Sequence, residues 1–307
     1  MFGISTSWLT ASTDYSGELI IDRIKQLGLN KIELGFSLSE TQLDAILQLQ
    51  KKGNIRIESV HNYCPVPEEY SLHDFTPDYF SLASTDENQR TKAIELTLKS
   101  IHTTAQADAK ALIIHAGRVE IKERLRELVV LFDEGRKKTP VYHALIDDMR
   151  KERENSKKPY LEALLRSLDK ILPVAEKFKI SLCLENRFYR REIPSFDELG
   201  KIFLNFQNCR YLFYWHDVGH AQVSENLGLS NHQDYLKRYS DKLYGVHLHD
   251  VSGGKDHLVP GQGDFDFSRL TPYLQKNTLL IIEAHQPATT EQIVMGIAYL
   301  KKIFQAA

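Results

Sequence analysis

The chain contains the stretch Leu243-Tyr244-Gly245-Val246-His247-Leu248-His249, a short and mostly apolar run with two histidines near its end. Apolar residues on both faces are typical of a strand that is covered on both sides, as in a parallel sheet. Side chains two residues apart on a strand share a face, so His247 and His249 point the same way. The stretch therefore predicts a buried parallel strand that presents imidazoles near its carboxyl end.

Seven similar runs occur elsewhere in the chain, and segments with the hydrophobic period of an α-helix separate them. Eight alternations of strand and helix predict an α/β fold in which a parallel sheet closes into a (β/α)8 TIM barrel. An open doubly wound sheet is the alternative. Because no Gly-x-Gly-x-x-Gly turn follows the first strand and no Walker A loop is present, we expect no nucleotide cofactor. The predicted strands are 2–8, 31–34, 55–60, 111–115, 180–185, 211–217, 243–249 and 279–283.

The chain has 307 residues, and its length alone would suggest two domains. A TIM barrel needs about 250 residues as one unit, so we expect a single barrel domain over 1–307. The surplus lies in two long connections, from 62 to about 87 and from 117 to 157. The second is rich in charge and is predicted to be a partly helical insertion, with helices at 121–132 and 141–153. Both connections follow a strand and precede a helix, which places them at the catalytic face of a barrel.

The composition excludes several classes of protein. The formal net charge of −2 provides no global basic field for nucleic acid, so a nucleic-acid partner is not favoured. No run approaches the roughly 18 apolar residues of a membrane span. Three cysteines are a sparse, odd set that fits the reducing cytoplasm. A homo-oligomer is compatible with these features, and the 117–157 insertion could contribute to its contacts.

Carboxylates and imidazoles stand at the ends of six predicted strands, which would bring them together at one end of the barrel. Burying several carboxylates together without a cation would be costly. Mixed nitrogen and oxygen ligands suit zinc or manganese, and cobalt or magnesium is also compatible. The sequence therefore predicts a divalent-metal site. The residues at the strand ends are His61, His115, Glu185, Asp217, His247, His249 and Glu283, with His220 and His257 close behind.

With these residues the sequence resembles the xylose isomerase-like TIM-barrel superfamily. This group includes sugar and sugar phosphate isomerases and epimerases, inosose dehydratases and the endonuclease IV group of AP endonucleases. The resemblance implies Glu185, Asp217, His247 and Glu283 as metal ligands. The motifs that carry it are Leu184-Glu185-Asn186-Arg187, Asp217-Val218-Gly219-His220, His247-Leu248-His249-Asp250, Asp256-His257-Leu258-Val259-Pro260-Gly261-Gln262-Gly263 and the final Glu283.

The endonuclease IV group uses three metals, and the resemblance extends to part of that larger set. His61 and His115 match its first-metal histidines, so a second metal that also shares Glu185 stays open. His220 and His257 match two third-metal ligands. Lys255 stands where the remaining aspartate should be, and we expect the adjacent Asp256 to face another way. A complete three-metal site is therefore not favoured.

The leading hypothesis is a metal-dependent sugar isomerase or epimerase that acts on a hydroxy-ketone through an enediolate. Glu185 and Glu283 would remove and return the proton. Arg187 resembles the arginine of the Asn-Arg pair in the ketose 3-epimerases and would hold a substrate oxygen or phosphate. Trp8 and Phe36 are candidates for an apolar wall over the sugar ring. The alternatives are an endonuclease IV-like phosphodiesterase with two metals, a dehydratase acting on a keto-cyclitol, and a binding protein that has lost its chemistry.

Overall fold

Eight parallel strands form a closed barrel, and each pairs with its neighbours in chain order. The structure is a computed structural model that describes residues 2–10, 15–72 and 74–305. It confirms the predicted (β/α)8 TIM barrel. The strands are β1 Gly3–Ser5, β2 Lys31–Leu34, β3 Arg56–His61, β4 Ala111–Ile114, β5 Ser181–Glu185, β6 Leu212–Asp217, β7 Leu243–Leu248 and β8 Leu279–Ile282.

Helices alternate with the strands and cover the outside of the barrel. Several begin at a serine, threonine, aspartate or asparagine whose side chain accepts a hydrogen bond from the first helical turn, such as Ser39 before α3 and Asp86 before α4. The helices are α1 Ser7–Thr10, α2 Gly17–Gln26, α3 Glu40–Lys51, α4 Glu87–Gln106, α5 Leu125–Asp133, α6 Pro140–Ser156, α7 Lys158–Phe178, α8 Phe196–Asn205, α9 Val218–Asn226, α10 His232–Tyr239 and α11 Thr290–Gln305.

The first predicted strand is shorter than expected. The sequence predicted a strand over 2–8, but only Gly3–Ser5 is extended, and α1 follows as a single helical turn. This turn brings Trp8 into the protein, where its Nε1 donates to the carbonyl oxygen of Ala288 at 2.8 Å. Trp8 is therefore buried near the start of α11 instead of continuing the first strand.

Side chains fill the interior of the barrel. The Trp215 indole lies against Gly245 of the neighbouring strand, where any Cβ would overlap the ring. The His247 ring lies on the other side of Trp215, with 5.0 Å between the ring centroids. The polar side chains therefore lie one layer above a group of buried apolar residues, which we call the Trp215 plug. The plug is made of Ala111, Ile113, Cys183, Trp215 and Ile281.

The two long connections follow β3 and β4, as the sequence predicted. The first runs from 62 to 86 and contains no helix or strand among its described residues. The second contains α5 and α6, whose apolar faces pack together in a small separate core. Its Tyr142 hydroxyl donates to the carbonyl oxygen of Leu227 at 3.0 Å, which ties the insertion to the end of α9.

A short antiparallel ribbon also follows β7. It pairs Asp250–Ser252 with Lys255–Leu258.

Among the described residues, no helix combines the length and apolarity that a membrane crossing requires. The three cysteines carry free thiols.

A buried ion pair fastens α6 to α8. Arg153 donates to both carboxylate oxygens of Glu198 at 2.7 Å, and both side chains are almost fully buried. We expect Glu198→Ala to lower the free energy of unfolding by about 3–5 kcal/mol, because it leaves a buried guanidinium without a counter-charge. Glu154→Ala, which removes a more exposed partner of Lys157, should cost less than about 1 kcal/mol. Denaturant unfolding measures both, and equal losses would contradict the assigned role of the buried pair.

Candidate metal and substrate site

Four strands bring together the residues that the resemblance implied as metal ligands. Glu185 ends β5, Asp217 ends β6, His247 lies in β7 and Glu283 follows β8. All four side chains are buried, and one potential ligand atom from each lies within 4.8 Å of the others. Parallel strands end at the same rim of a barrel, which is why residues so distant in sequence meet here.

His247 is at the centre of this group. Its Nδ1 lies 2.8 Å from Glu185 Oε1, 3.0 Å from Glu283 Oε2 and 3.7 Å from Asp217 Oδ2. One proton on Nδ1 cannot neutralise three carboxylates. Burial raises the pKa of Glu283 to about 7, which reflects the cost of an uncompensated anion in this position. A divalent cation among these oxygen atoms and Nδ1 would remove that cost, so the donor set fits a metal ion.

A fourth buried acid beside this group, Glu33, was not predicted from the sequence. It lies in β2, and its Oε1 is 3.1 Å from His247 Nε2, the ring nitrogen that faces away from the four-residue group. Ser59 donates to its other oxygen at 2.8 Å. Glu33 therefore orients the His247 ring, as the outer partner of a metal-ligating histidine does. The available signal was a lone acid inside the apolar run 31–34.

A second group contains His61, His115 and Glu185. His61 Nδ1 lies 3.0 Å from the carbonyl oxygen of Asn62, which directs Nε2 towards the group. The Arg187 guanidinium already contacts two of these residues, whose facing atoms, His115 Nε2 and Glu185 Oε2, lie 2.9 Å apart. Its Nη1 is 2.6 Å from His115 Nε2 and donates to Glu185 Oε2 at 2.9 Å. A cation of the protein itself therefore occupies part of the space where a second metal would bind.

The ribbon after β7 corrects one expectation. We predicted that Asp256 would face away from His220 and His257, but Asp256 Oδ2 lies 3.2 Å from His257 Nδ1 and 3.9 Å from His220 Nε2. The reason is the backbone of His257, whose φ of 55° interrupts the alternation that a regular strand would impose. Lys255, by contrast, is exposed. The three residues form a third group that could hold a cation.

His249 supports Asp217 rather than facing the cavity. Its Nε2 donates to the Asp217 carboxylate at 2.9 Å, and its Nδ1 accepts the backbone N–H of His257. The ring lies so close to Gly219 that a Cβ there would overlap it. The glycine of the Asp217-Val218-Gly219-His220 motif thus makes room for the histidine that orients the first residue of the same motif.

A cavity of about 250 Å³ opens above these groups, which is enough for a small polar molecule. Phe36 lines it, as predicted for an apolar wall. Trp8 does not, because α1 turns it into the core. His285, which the sequence analysis did not select, also lines the cavity, and its Nε2 has no hydrogen-bond partner among the described residues. Residues from the ligand groups that line it are His61, His115, Glu185, Arg187, His220, Asp256, His257 and Glu283.

Behind Asp217, a chain of buried hydrogen bonds runs outward from Asn186. The Asn186 Oδ1 accepts the Asp217 backbone N–H and the Tyr214 hydroxyl, each at 2.8 Å. Since Tyr214 donates its only proton there, it accepts from His216 Nδ1 at 2.6 Å. Burial holds the pKa of His216 at about 3, so this ring is neutral, and its Nε2 lies 2.9 Å from His232 Nε2. These hydrogen bonds fix the strand end that presents Asp217.

Tyr214→Phe should therefore lower the free energy of unfolding by about 1–3 kcal/mol, because it leaves the buried His216 Nδ1–H without an acceptor. Tyr211→Phe is the matched control, since the structure shows no hydrogen bond for the Tyr211 hydroxyl in the part of the chain that it describes. Chemical denaturation of both variants measures the difference. An equal, negligible effect would mean that the chain of hydrogen bonds does not stabilise the strand end.

The family assignment follows from the sequence match. A sequence model described as the xylose isomerase-like TIM barrel matches residues 21–303. The chain belongs to this family. No curated protein matches it significantly in sequence.

Solved structures with the same architecture include several sugar epimerases. L-ribulose 3-epimerase superposes with a TM-score of 0.70 at 12% identity, over 99% of this chain and 94% of that one. The 3-keto-D-glucoside 4-epimerase of E. coli gives 0.67 at 13%, over 98% of both chains. The IOLI protein, solved with a bound zinc atom, gives 0.66 at 14%, over 99% of this chain and 98% of that one. At such identities the similarity shows the fold alone.

Proposed function

We propose that this xylose isomerase-like barrel is a divalent-metal-dependent sugar isomerase or epimerase that acts on a hydroxy-ketone. The observation that carries the proposal is the placement of two carboxylates, Glu185 and Glu283, which lie 2.8 and 3.0 Å from His247 Nδ1 and line one cavity. Proton transfer at carbon needs a base and an acid within reach of one substrate, and this pair provides both. The sugar epimerases among the solved relatives of the fold support the same choice.

The residues of the chain have distinct roles in this reaction. One of Glu185 and Glu283 removes the proton from the carbon next to the carbonyl, and the other returns a proton to complete the isomerisation or epimerisation. Arg187 and His220 lie on the cavity wall and orient substrate oxygens. Phe36 covers an apolar face of the sugar. Asp217 and His247 complete the ligand set with the two glutamates. A bound zinc or manganese ion, or cobalt or magnesium, would act as a Lewis acid towards the carbonyl and its neighbouring hydroxyl.

A phosphodiesterase of the endonuclease IV kind is the second candidate. The groups His61–His115–Glu185 and His220–Asp256–His257 favour it, because they could hold further cations. Arg187 opposes it, since its guanidinium contacts both His115 and Glu185 within the first of these groups. A keto-cyclitol dehydratase would use the same four ligands as the isomerase. The compounds that the protein converts distinguish the two hypotheses.

Metal stoichiometry and a substrate panel test the proposal. Elemental analysis of the purified protein should find one tightly bound divalent ion per chain, and two or three would favour the phosphodiesterase. With the ion that is found, free and phosphorylated ketoses should be converted to their isomers, while phosphodiesters and keto-cyclitols should be left unchanged. Hydrolysis of a phosphodiester without conversion of any ketose would overturn the proposal.

A further inference from the structure

A second cavity lies beside the candidate active site. It has a volume of about 110 Å³ and shares the segment 187–189 with the first cavity, so that segment forms the wall between them. Its other walls come from the end of α6, the start of α8 and the connection between α9 and α10. None of the four expected metal ligands lines it.

The cavity contains a cation without a partner. Arg190 lines it and is about half-buried, but its guanidinium makes no hydrogen bond or ion pair in the described part of the chain. The carboxylates of the cavity are already paired, because Glu192 contacts Arg187, Glu154 contacts Lys157 and Asp197 lies 3.9 Å from Arg238.

Its electrostatic surroundings are also positive. Burial lowers the pKa of Arg190 below its usual value, and the nearby guanidinium groups of Arg153 and Arg150 lower it further, while Glu154 and Tyr235 oppose this shift in part. A half-buried arginine that makes no ion pair is costly in a folded protein, and an anion in the cavity would reduce that cost.

Unsatisfied donors cluster on the same walls. Arg153 Nε, Arg187 Nε and Ser230 Oγ are buried and have no hydrogen-bond partner, and all three residues line this cavity. These buried donors lie within the cavity walls, to which Arg190 contributes a further cation. A ligand with several acceptor oxygens, such as a tetrahedral phosphate, matches this arrangement, and guanidinium groups are suited to phosphate.

We propose that this cavity, which we call the Arg190 pocket, binds a phosphate-sized oxyanion. The anion is either the phosphate of a phosphorylated sugar held in the neighbouring cavity or free phosphate. The first source rests on the proposed function, whereas the anion site itself does not. In either case Arg190 supplies the charge, and the segment 187–189 lines both this site and the cavity that contains Glu185 and Glu283.

Calorimetric titration of the metal-loaded protein with inorganic phosphate tests the site directly. Phosphate should bind saturably, and Arg190→Gln should raise its Kd at least about tenfold, as expected for the loss of a charge-assisted hydrogen bond. Arg190→Lys should keep part of the affinity. The matched control is Arg191→Gln, because Arg191 is the next residue, pairs with Glu123 and does not line the pocket. This control should leave the Kd unchanged.

Phosphate that binds equally well to the wild type and to Arg190→Gln would overturn the proposal, since the anion would then be bound elsewhere. Undetectable binding to the wild type would also overturn it. Circular dichroism of each variant checks the fold, and the partly exposed position of Arg190 makes unfolding by this change unexpected.

Steady-state kinetics distinguish the two sources. If the substrate supplies the anion, Arg190→Gln should raise the KM for a phosphorylated ketose and leave that for its free form unchanged. If free phosphate is the ligand, the variant should lose phosphate binding and keep both KM values. Both results support the Arg190 pocket. Phosphate binding that depends on Arg190, in a protein that converts no ketose, would reject the proposed function and leave the anion site standing.

Discussion

Glu185→Gln and Glu283→Gln should each lower the turnover of a converted ketose by about 10³-fold or more, while the barrel stays folded. In the proposed mechanism each variant lacks a group that transfers a proton at carbon, and such groups typically contribute factors of about 10² to 10⁴. Each also replaces a carboxylate near His247 Nδ1 by a neutral amide, so metal binding should weaken as well. Steady-state rates, with the metal content of every preparation determined, measure the effect.

Hydrogen exchange at carbon separates the two causes. Incubation of substrate with each variant in D2O, at saturating metal, reports proton abstraction even when no epimer accumulates. The variant that lacks the abstracting base should show no exchange, whereas its partner should retain some. Glu58→Gln is the matched control. Like the two test residues, Glu58 is a buried acid, but it lies in β3, pairs with Lys31 and does not line the cavity. Near-normal turnover in both test variants would refute the roles of Glu185 and Glu283.

Removal of the metal should abolish turnover and destabilise the protein. At a free metal concentration about 1,000 times the Kd, binding to the folded state alone stabilises it by about 4 kcal/mol, and chelation removes that contribution. The cluster makes the effect large, because four buried residues face one another with three carboxylates among them. Denaturant unfolding before and after chelation, followed by restoration with each divalent ion, measures both losses.

Asp217→Ala provides the internal control for this experiment. The variant lacks one ligand and should contain little metal as purified, so a chelator should hardly change its unfolding. A wild-type protein whose stability and activity both ignore the chelator would contradict a metal role for the cluster.

The strand pattern was the part of the molecule that the sequence predicted best. Near-continuous apolar runs predicted all eight barrel strands, because a strand covered on both faces needs apolar side chains on both faces. Polar residues at the carboxyl ends of those runs, such as Asp217 and Glu283, predicted where side chains would converge. The first strand was predicted too long, because the single helical turn Ser7–Thr10 is too short to show a helical period.

The missing parts of the site depend on geometry that periodicity does not encode. Asp256 faces its neighbours because His257 has a positive φ, which breaks the alternation used to predict its direction. Arg187 was selected as a substrate ligand, but its contact with both His115 and Glu185 depends on a side-chain conformation set by packing. Tyr214 and His216 were ordinary strand residues in the sequence, and only the structure joins them to Asn186.

The Trp215 plug has a consequence for the exchange of a substrate hydrogen with solvent, which an isotope label would follow. Because buried apolar side chains fill the barrel below His247 in the described part of the chain, Glu185 and Glu283 are separated from the opposite end of the barrel. In the proposed reaction, a hydrogen taken from the substrate would then reach bulk solvent by way of the cavity that would hold the sugar. Retention or washout of that hydrogen therefore reports how long the mouth of the cavity stays closed relative to the lifetime of the carbanion.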